Sequence, residues 1–143
     1  MLGLPSSNID RRRIAIVGAS FGGIVTTLAA AQSKLYSAVV VQAPGSLNWN
    51  RSAELRPALT EAARRITVPI YCAVAENDAT TESAKAICAA AESAGAKVFL
   101  KIYPAFTGGN ERTGNAPGHA LFSRNGVALW RKDLLDFLAT SIP

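Results

Sequence analysis

The sequence predicts an α/β fold, a mostly parallel sheet of about four strands with helices on its faces. Three observations carry this reading. Short apolar runs alternate with longer Ala-rich runs in the order βαβαβαβα, and the connections between them are brief. The strand-like runs are apolar almost throughout, as expected of parallel strands covered on both sides. With 143 residues, of which 49% are hydrophobic and 17% charged, the chain can bury a core as one globular unit. Residues 1–143 are therefore read as one domain, without an internal repeat or linker to divide it.

The elements follow in order. Ile14 to Val17 is the first strand, and Gly23 to Gln32 is an apolar, Ala-rich helix. Ala38 to Gln42 holds three consecutive valines and reads as a fully covered strand, stopped by Pro44 and Gly45. Residues 46–56 show no period and are expected to form a loop, followed by a short helix over Ala58 to Ile66. Val68 to Ala75 is the third strand, with Pro69 at its start, where a missing N–H is tolerated. Thr81 to Ala94 is a long helix with Glu82 in its first turn. Lys97 to Tyr103 is a fourth strand whose lysines suit a sheet edge. A polar loop from Pro104 to Gly118 delivers His119, and Val127 to Ala139 closes the chain as an amphipathic helix.

Composition narrows the function classes. The net charge of +5 comes with two arginine clusters, Arg11–Arg13 and Arg64–Arg65, but with no aromatic-interleaved basic stretch, so nucleic-acid binding is the weakest reading. No apolar run reaches the roughly 20 residues of a membrane span, and the N-terminal residues lack the pattern of a leader. A cytoplasmic location is expected. Cys72 and Cys88 fall in a strand and a helix without metal-ligand spacing, and buried free thiols are expected. One histidine and two separated cysteines provide no ligand cluster, so no metal and no organic cofactor are expected.

The chemistry concentrates where strands end. Gly18-x-Ser20-x-Gly22 lies between the first strand and its helix, the setting of a nucleophile elbow. There a serine projects from a sharp turn, the small Gly18 and Gly22 relieve crowding, and the N–H of Phe21 can face a developing oxyanion. A serine hydroxyl needs a base, and the base needs an orienting acid. The sole histidine, His119, and the acid Asp78 each follow a later strand, so all three belong to one edge of the sheet. Glu76 competes with Asp78 for the acid role. Singly, each residue also has a plain structural explanation: a small turn residue, a helix cap, a loop histidine. Nucleotide-binding turns fit less well. Gly18-Ala19-Ser20 breaks the first pair of a dinucleotide fingerprint, Gln42 stands where its acid is needed, and Gly22-Gly23-Ile24 lacks a P-loop lysine.

Three segments taken together, RIAIVGASFGG from Arg13, VPIYCAVAEND ending at Asp78, and KIYP from Lys101 followed by GHALF from Gly118, resemble the α/β-hydrolase superfamily. Within it they look most like the dienelactone-hydrolase and related esterase or acyl-peptidase branches. The resemblance implies Ser20 as nucleophile, His119 as general base and then acid, Asp78 as the orienter of the imidazole, and Phe21 as a backbone oxyanion donor. It implies a serine hydrolase of carboxylic esters or lactones, with a small-molecule substrate. It covers the C-terminal half of the family's core. The family's preceding strands and second oxyanion donor have no counterpart here, which turns the elbow strand into a sheet edge. A homo-oligomer or a partner chain covering that edge is therefore expected. The competing reading is a weak or inactive half-hydrolase acting as an interaction module. Trp49, Phe106 and Phe122 are candidates for lining the remaining pocket, or for plain packing.

Overall fold

The computed structural model describes residues 9–109 and 115–143. The N-terminal residues bearing on a leader, and residues 110–114 of the expected 104–118 loop, lie outside the described residues. Four strands, β1 (Ala15–Ala19), β2 (Ala38–Gln42), β3 (Ile70–Ala75) and β4 (Val98–Tyr103), pair in parallel and in chain order. The helices are α1 (Phe21–Gln32), α2 (Ser46–Trp49), α3 (Leu55–Ala63), α4 (Glu82–Ser93) and α5 (Val127–Ser141), with a 3-10 helix at Pro117–Phe122 before α5.

Strand order and handedness together dictate the layers. Crossovers between neighbouring parallel strands are right-handed almost without exception, so a sheet ordered β1-β2-β3-β4 receives its crossover helices on one face. The core agrees. Val39, Val41, Ile70, Cys72 and Val74 share a cluster with Ile24 and Ala30 of α1, Leu59 and Ala63 of α3, and Ala84, Ile87 and Ala91 of α4. The alternate residues Ala38, Val40, Tyr71, Ala73 and Ala75 point the other way, toward Leu121 and Phe137. Among the described residues that second face has only the 3-10 helix and α5 to cover it. One helix, about 10 Å across, is narrower than four strands spaced about 4.8 Å. The shortfall appears at β1: Val17, in register with the fully buried Val40, is 49% exposed. Fully burying a valine contributes roughly 1.5–3 kcal/mol, a gain that β2 collects at Val39, Val40 and Val41 and β1 forgoes at Val17.

Two expectations are corrected. Residues 46–56, read as a loop, contain α2 and the start of α3. Pro57 sits in the first turn of α3, where a missing N–H breaks no intrahelical bond, so it does not delay the helix. Cys72 and Cys88, read as free thiols, form a disulfide. Cys72 lies on the α-covered face of β3, and Cys88 on the buried stripe of α4 with Ala84, Ile87 and Ala91. Packing α4 on β3 brings their Cα atoms to 6.2 Å, within bridging range. Sixteen residues of separation gave no local sign of this meeting.

Candidate active site

The elbow is built from crowding. Ser20 ends β1 with φ 54° and ψ −118°, a conformation that costs a non-glycine residue on the order of 1–3 kcal/mol. It is held there from both sides. The Ser20 N–H donates to the Gln42 carbonyl at 2.9 Å, and the Ser20 carbonyl accepts from the N–H groups of Gly23 and Gly45 at 3.0 and 3.1 Å. A Cβ on Gly18 would sit 2.2 Å from the Gly22 carbonyl oxygen and 2.3 Å from Thr26 Oγ1, so this turn admits only glycine at 18. Gly22 differs from the expectation, because a Cβ there would meet open space. The second crowded glycine is Gly23, which packs against Pro44 of the β2 exit. Phe21 opens α1, where helix geometry leaves its N–H without an intrahelical acceptor. Phe21 is 71% exposed.

Asp78 follows β3 and its carboxylate is fully buried. It is held by the Ala79 N–H, which donates to Oδ1 at 2.6 Å, and by the Ser46 hydroxyl, which donates to the same oxygen at 3.0 Å. His119 comes from the 3-10 helix. That helix is pinned by Leu121, which is fully buried, and by the Trp130 indole N–H donating to the Leu121 carbonyl at 2.9 Å. Its approach to the Asp78 turn is close enough that a Cβ on Gly118 would lie 2.6 Å from the Asp78 backbone nitrogen.

These elements bring the three predicted residues together. His119 Nε2 lies 2.8 Å from Ser20 Oγ, and His119 Nδ1 lies 3.1 Å from both Asp78 carboxylate oxygens. An ionised carboxylate only accepts, so Nδ1 carries the proton and Nε2 presents its lone pair to the serine hydroxyl. Glu76 is elsewhere: its Oε1 accepts from the Ala105 N–H at 3.0 Å, anchoring the loop after β4. The aromatic candidates are packing residues. Trp49 belongs to the α-covered core, Phe106 is buried on the opposite face, and Phe122 stacks edge-on against Tyr103. Sequence reasoning missed Ser46, which is buried and lies 3.1 Å from His119 Nδ1 as well as touching Asp78. The available signal was its place directly after Pro44-Gly45 at the end of β2, on the same sheet edge as the other three.

Among the described residues no group of His, Cys, Asp and Glu side chains could hold a metal ion, and no helix is long and apolar enough to cross a membrane.

The parallel sheet, the strained serine between β1 and α1, and the histidine and aspartate from later loops define an α/β-hydrolase fold. The sequence matches the dienelactone hydrolase family over residues 4–125, and the chain belongs to that family. No curated protein matches it. Among solved structures it is similar to the uncomplexed acylaminoacyl peptidase of Pyrococcus horikoshii, at 18% identity and TM-score 0.69, covering 93% of this chain and 25% of that one. It is also similar to a protein assigned as a dienelactone hydrolase from Klebsiella pneumoniae, at 21% identity and TM-score 0.64, covering 91% and 53% of the two chains. An esterase of Pyrococcus furiosus matches at 12% identity and TM-score 0.58, covering 92% and 55%. The chain thus spans about a quarter of the first and about half of the other two.

Proposed function

We propose that this chain carries the reacting groups of a serine hydrolase for carboxylic esters or lactones. The observation that carries the reading is the continuous contact from Ser20 Oγ through His119 to the buried Asp78 carboxylate. In this mechanism Ser20 Oγ attacks the substrate carbonyl carbon while His119 Nε2 takes its proton. The carbonyl oxygen becomes an oxyanion facing the Phe21 N–H. Collapse of the tetrahedral adduct breaks the ester C–O bond, and His119 returns the proton to the departing alcohol oxygen. Water then attacks the acyl-serine by the same route, releasing the acid and restoring Ser20. Asp78 stays ionised and holds the imidazolium.

A second reading is favoured by the exposed edge of β1. Val17, Phe21 and Val25 are 49%, 71% and 49% exposed, and β1 pairs with β2 on one side alone among the described residues. An unpaired edge with apolar neighbours invites a second copy or a partner chain, and on this reading the chain is a weak or inactive hydrolase-like interaction module. A cytoplasmic location sits poorly with the Cys72–Cys88 disulfide, since disulfides persist mainly in oxidising compartments.

Hydrolysis of a short p-nitrophenyl ester by folded wild-type and Ser20→Ala protein tests the enzyme reading, with the solution mass measured alongside. Serine-dependent turnover supports it. A folded wild-type protein that neither turns over nor reacts with a fluorophosphonate at Ser20 refutes it and leaves the interaction module.

A further inference from the structure

We infer that Ser46 is a positioning residue of this site, a fourth member that holds the proton on His119 Nδ1; the inference rests on the hydrolase reading for its kinetic consequence. Three observations support it. Ser46 is 1% exposed, yet its hydroxyl is fully engaged: Oγ lies 3.0 Å from Asp78 Oδ1 and 3.1 Å from His119 Nδ1. A carboxylate cannot donate, so the Ser46 proton points to Asp78 and its oxygen lone pairs face the Nδ1–H. The hydroxyl dipole thereby has its positive end toward the carboxylate and its negative end toward the imidazole. Asp78 Oδ1, meanwhile, already takes donors from Ser46 and from the Ala79 N–H, which pins the carboxylate, while both of its oxygens lie 3.1 Å from the ring nitrogen.

The backbone that presents Ser46 is constrained in the same way as the elbow. Ala43 has φ 46°, uncommon for a residue with a Cβ, and its N–H donates to the Ala73 carbonyl at 2.7 Å. The next turn is tied to the nucleophile itself through the Gly45 N–H to Ser20 carbonyl bond and through Pro44 packed on Gly23. Ser46 is thus fixed in one frame with Ser20, while Asp78 and His119 arrive from β3 and the 3-10 helix. It can register the imidazole to the nucleophile as Asp78 alone cannot, because both Asp78 oxygens stand at the same 3.1 Å from Nδ1.

The test exploits the single histidine of the chain, whose two ring nitrogens give unambiguous signals in a 15N-labelled protein. Long-range 1H–15N spectra of the neutral ring are expected to show wild type with the proton on Nδ1. Ser46→Ala is expected to move both signals toward a mixture of the two tautomers, and fluorophosphonate labelling of Ser20 to slow about tenfold or more, the lower end of the loss for one hydrogen bond to a charged group. Ser46→Thr, which keeps the hydroxyl, restores the wild-type signals, and Ser46→Val, which has nearly the shape of threonine but no hydroxyl, does not. Should Ser46→Ala fail to fold by circular dichroism, the Thr and Val pair decides alone. Ring signals unchanged in Ser46→Ala, or equal in Ser46→Thr and Ser46→Val, overturn the inference. Absent labelling of wild type with the tautomer shift intact would instead overturn the hydrolase reading and leave the positioning role standing.

Discussion

The C-terminal end of the sheet and the outer edge of β1 share the residues of the elbow and end in opposite conditions. At the strand ends, Ser20, His119, Asp78 and Ser46 meet within hydrogen-bond distance, and the loops that bring them are pinned to one another. A few residues earlier, β1 has a pairing partner on one side among the described residues and leaves Val17 half exposed. The contrast separates two requirements of catalysis. Proton transfer and nucleophilic attack need only a few side chains in register, which local turns and a rigid sheet can supply. Substrate positioning and a complete oxyanion hole need surrounding structure, and each contributes several kcal/mol of its own. Under the proposed hydrolase reading, a connected set of reacting groups beside an open edge is expected to act on small activated esters and to be inefficient toward demanding ones.

The largest effect that could break this comparison lies in the reacting groups. Ser20→Ala and His119→Ala are expected to reduce p-nitrophenyl ester turnover to the buffer rate, and Asp78→Asn to leave a residue about 10⁴-fold below wild type. Steady-state kinetics on folded samples measures all three, and an Asp78→Asn variant near wild-type rate would detach the acid from the site.

The disulfide comes next. Cys72 and Cys88 close a loop that, by chain entropy, contributes about 3 kcal/mol. Urea unfolding with and without reductant should show that loss, and thiol counting on the unfolded, unreduced protein should find no free sulfhydryl. Two titratable thiols would restore the free-cysteine expectation.

Gly118→Ala probes the close approach behind His119. A Cβ there must displace the 3-10 helix from the Asp78 turn, and a shift near 1 Å is expected to slow Ser20 labelling about a hundredfold. Gly22→Ala, which meets open space, is the matched control and should leave labelling within about twofold. The smallest effect belongs to the edge. Val17→Lys replaces an exposed apolar residue and should change stability by no more than about 0.5 kcal/mol. Sedimentation velocity would show whether it abolishes association, and an unaltered mass distribution would remove β1 as the interface.

The sequence by itself determined the element order, the parallel sheet and the three residues at its edge. Those features are local: apolar strands, Gly18-x-Ser20-x-Gly22 at a strand end, and polar residues directly after β3 and before α5 carry their own signals. Element ends moved by a few residues for local reasons too, as at Pro57, whose missing N–H is harmless in the first turn of α3. Only the tertiary structure decided the rest. The Cys72–Cys88 bridge depends on which face of α4 meets β3, and Ser46 enters the site because Ala43, Pro44 and Gly45 fold back against the elbow. Likewise it was Gly18 and Gly23, rather than Gly22, that close packing required. Contacts between residues far apart in the chain leave no trace in composition or period, because they are set by how whole elements pack and not by any residue's own preference.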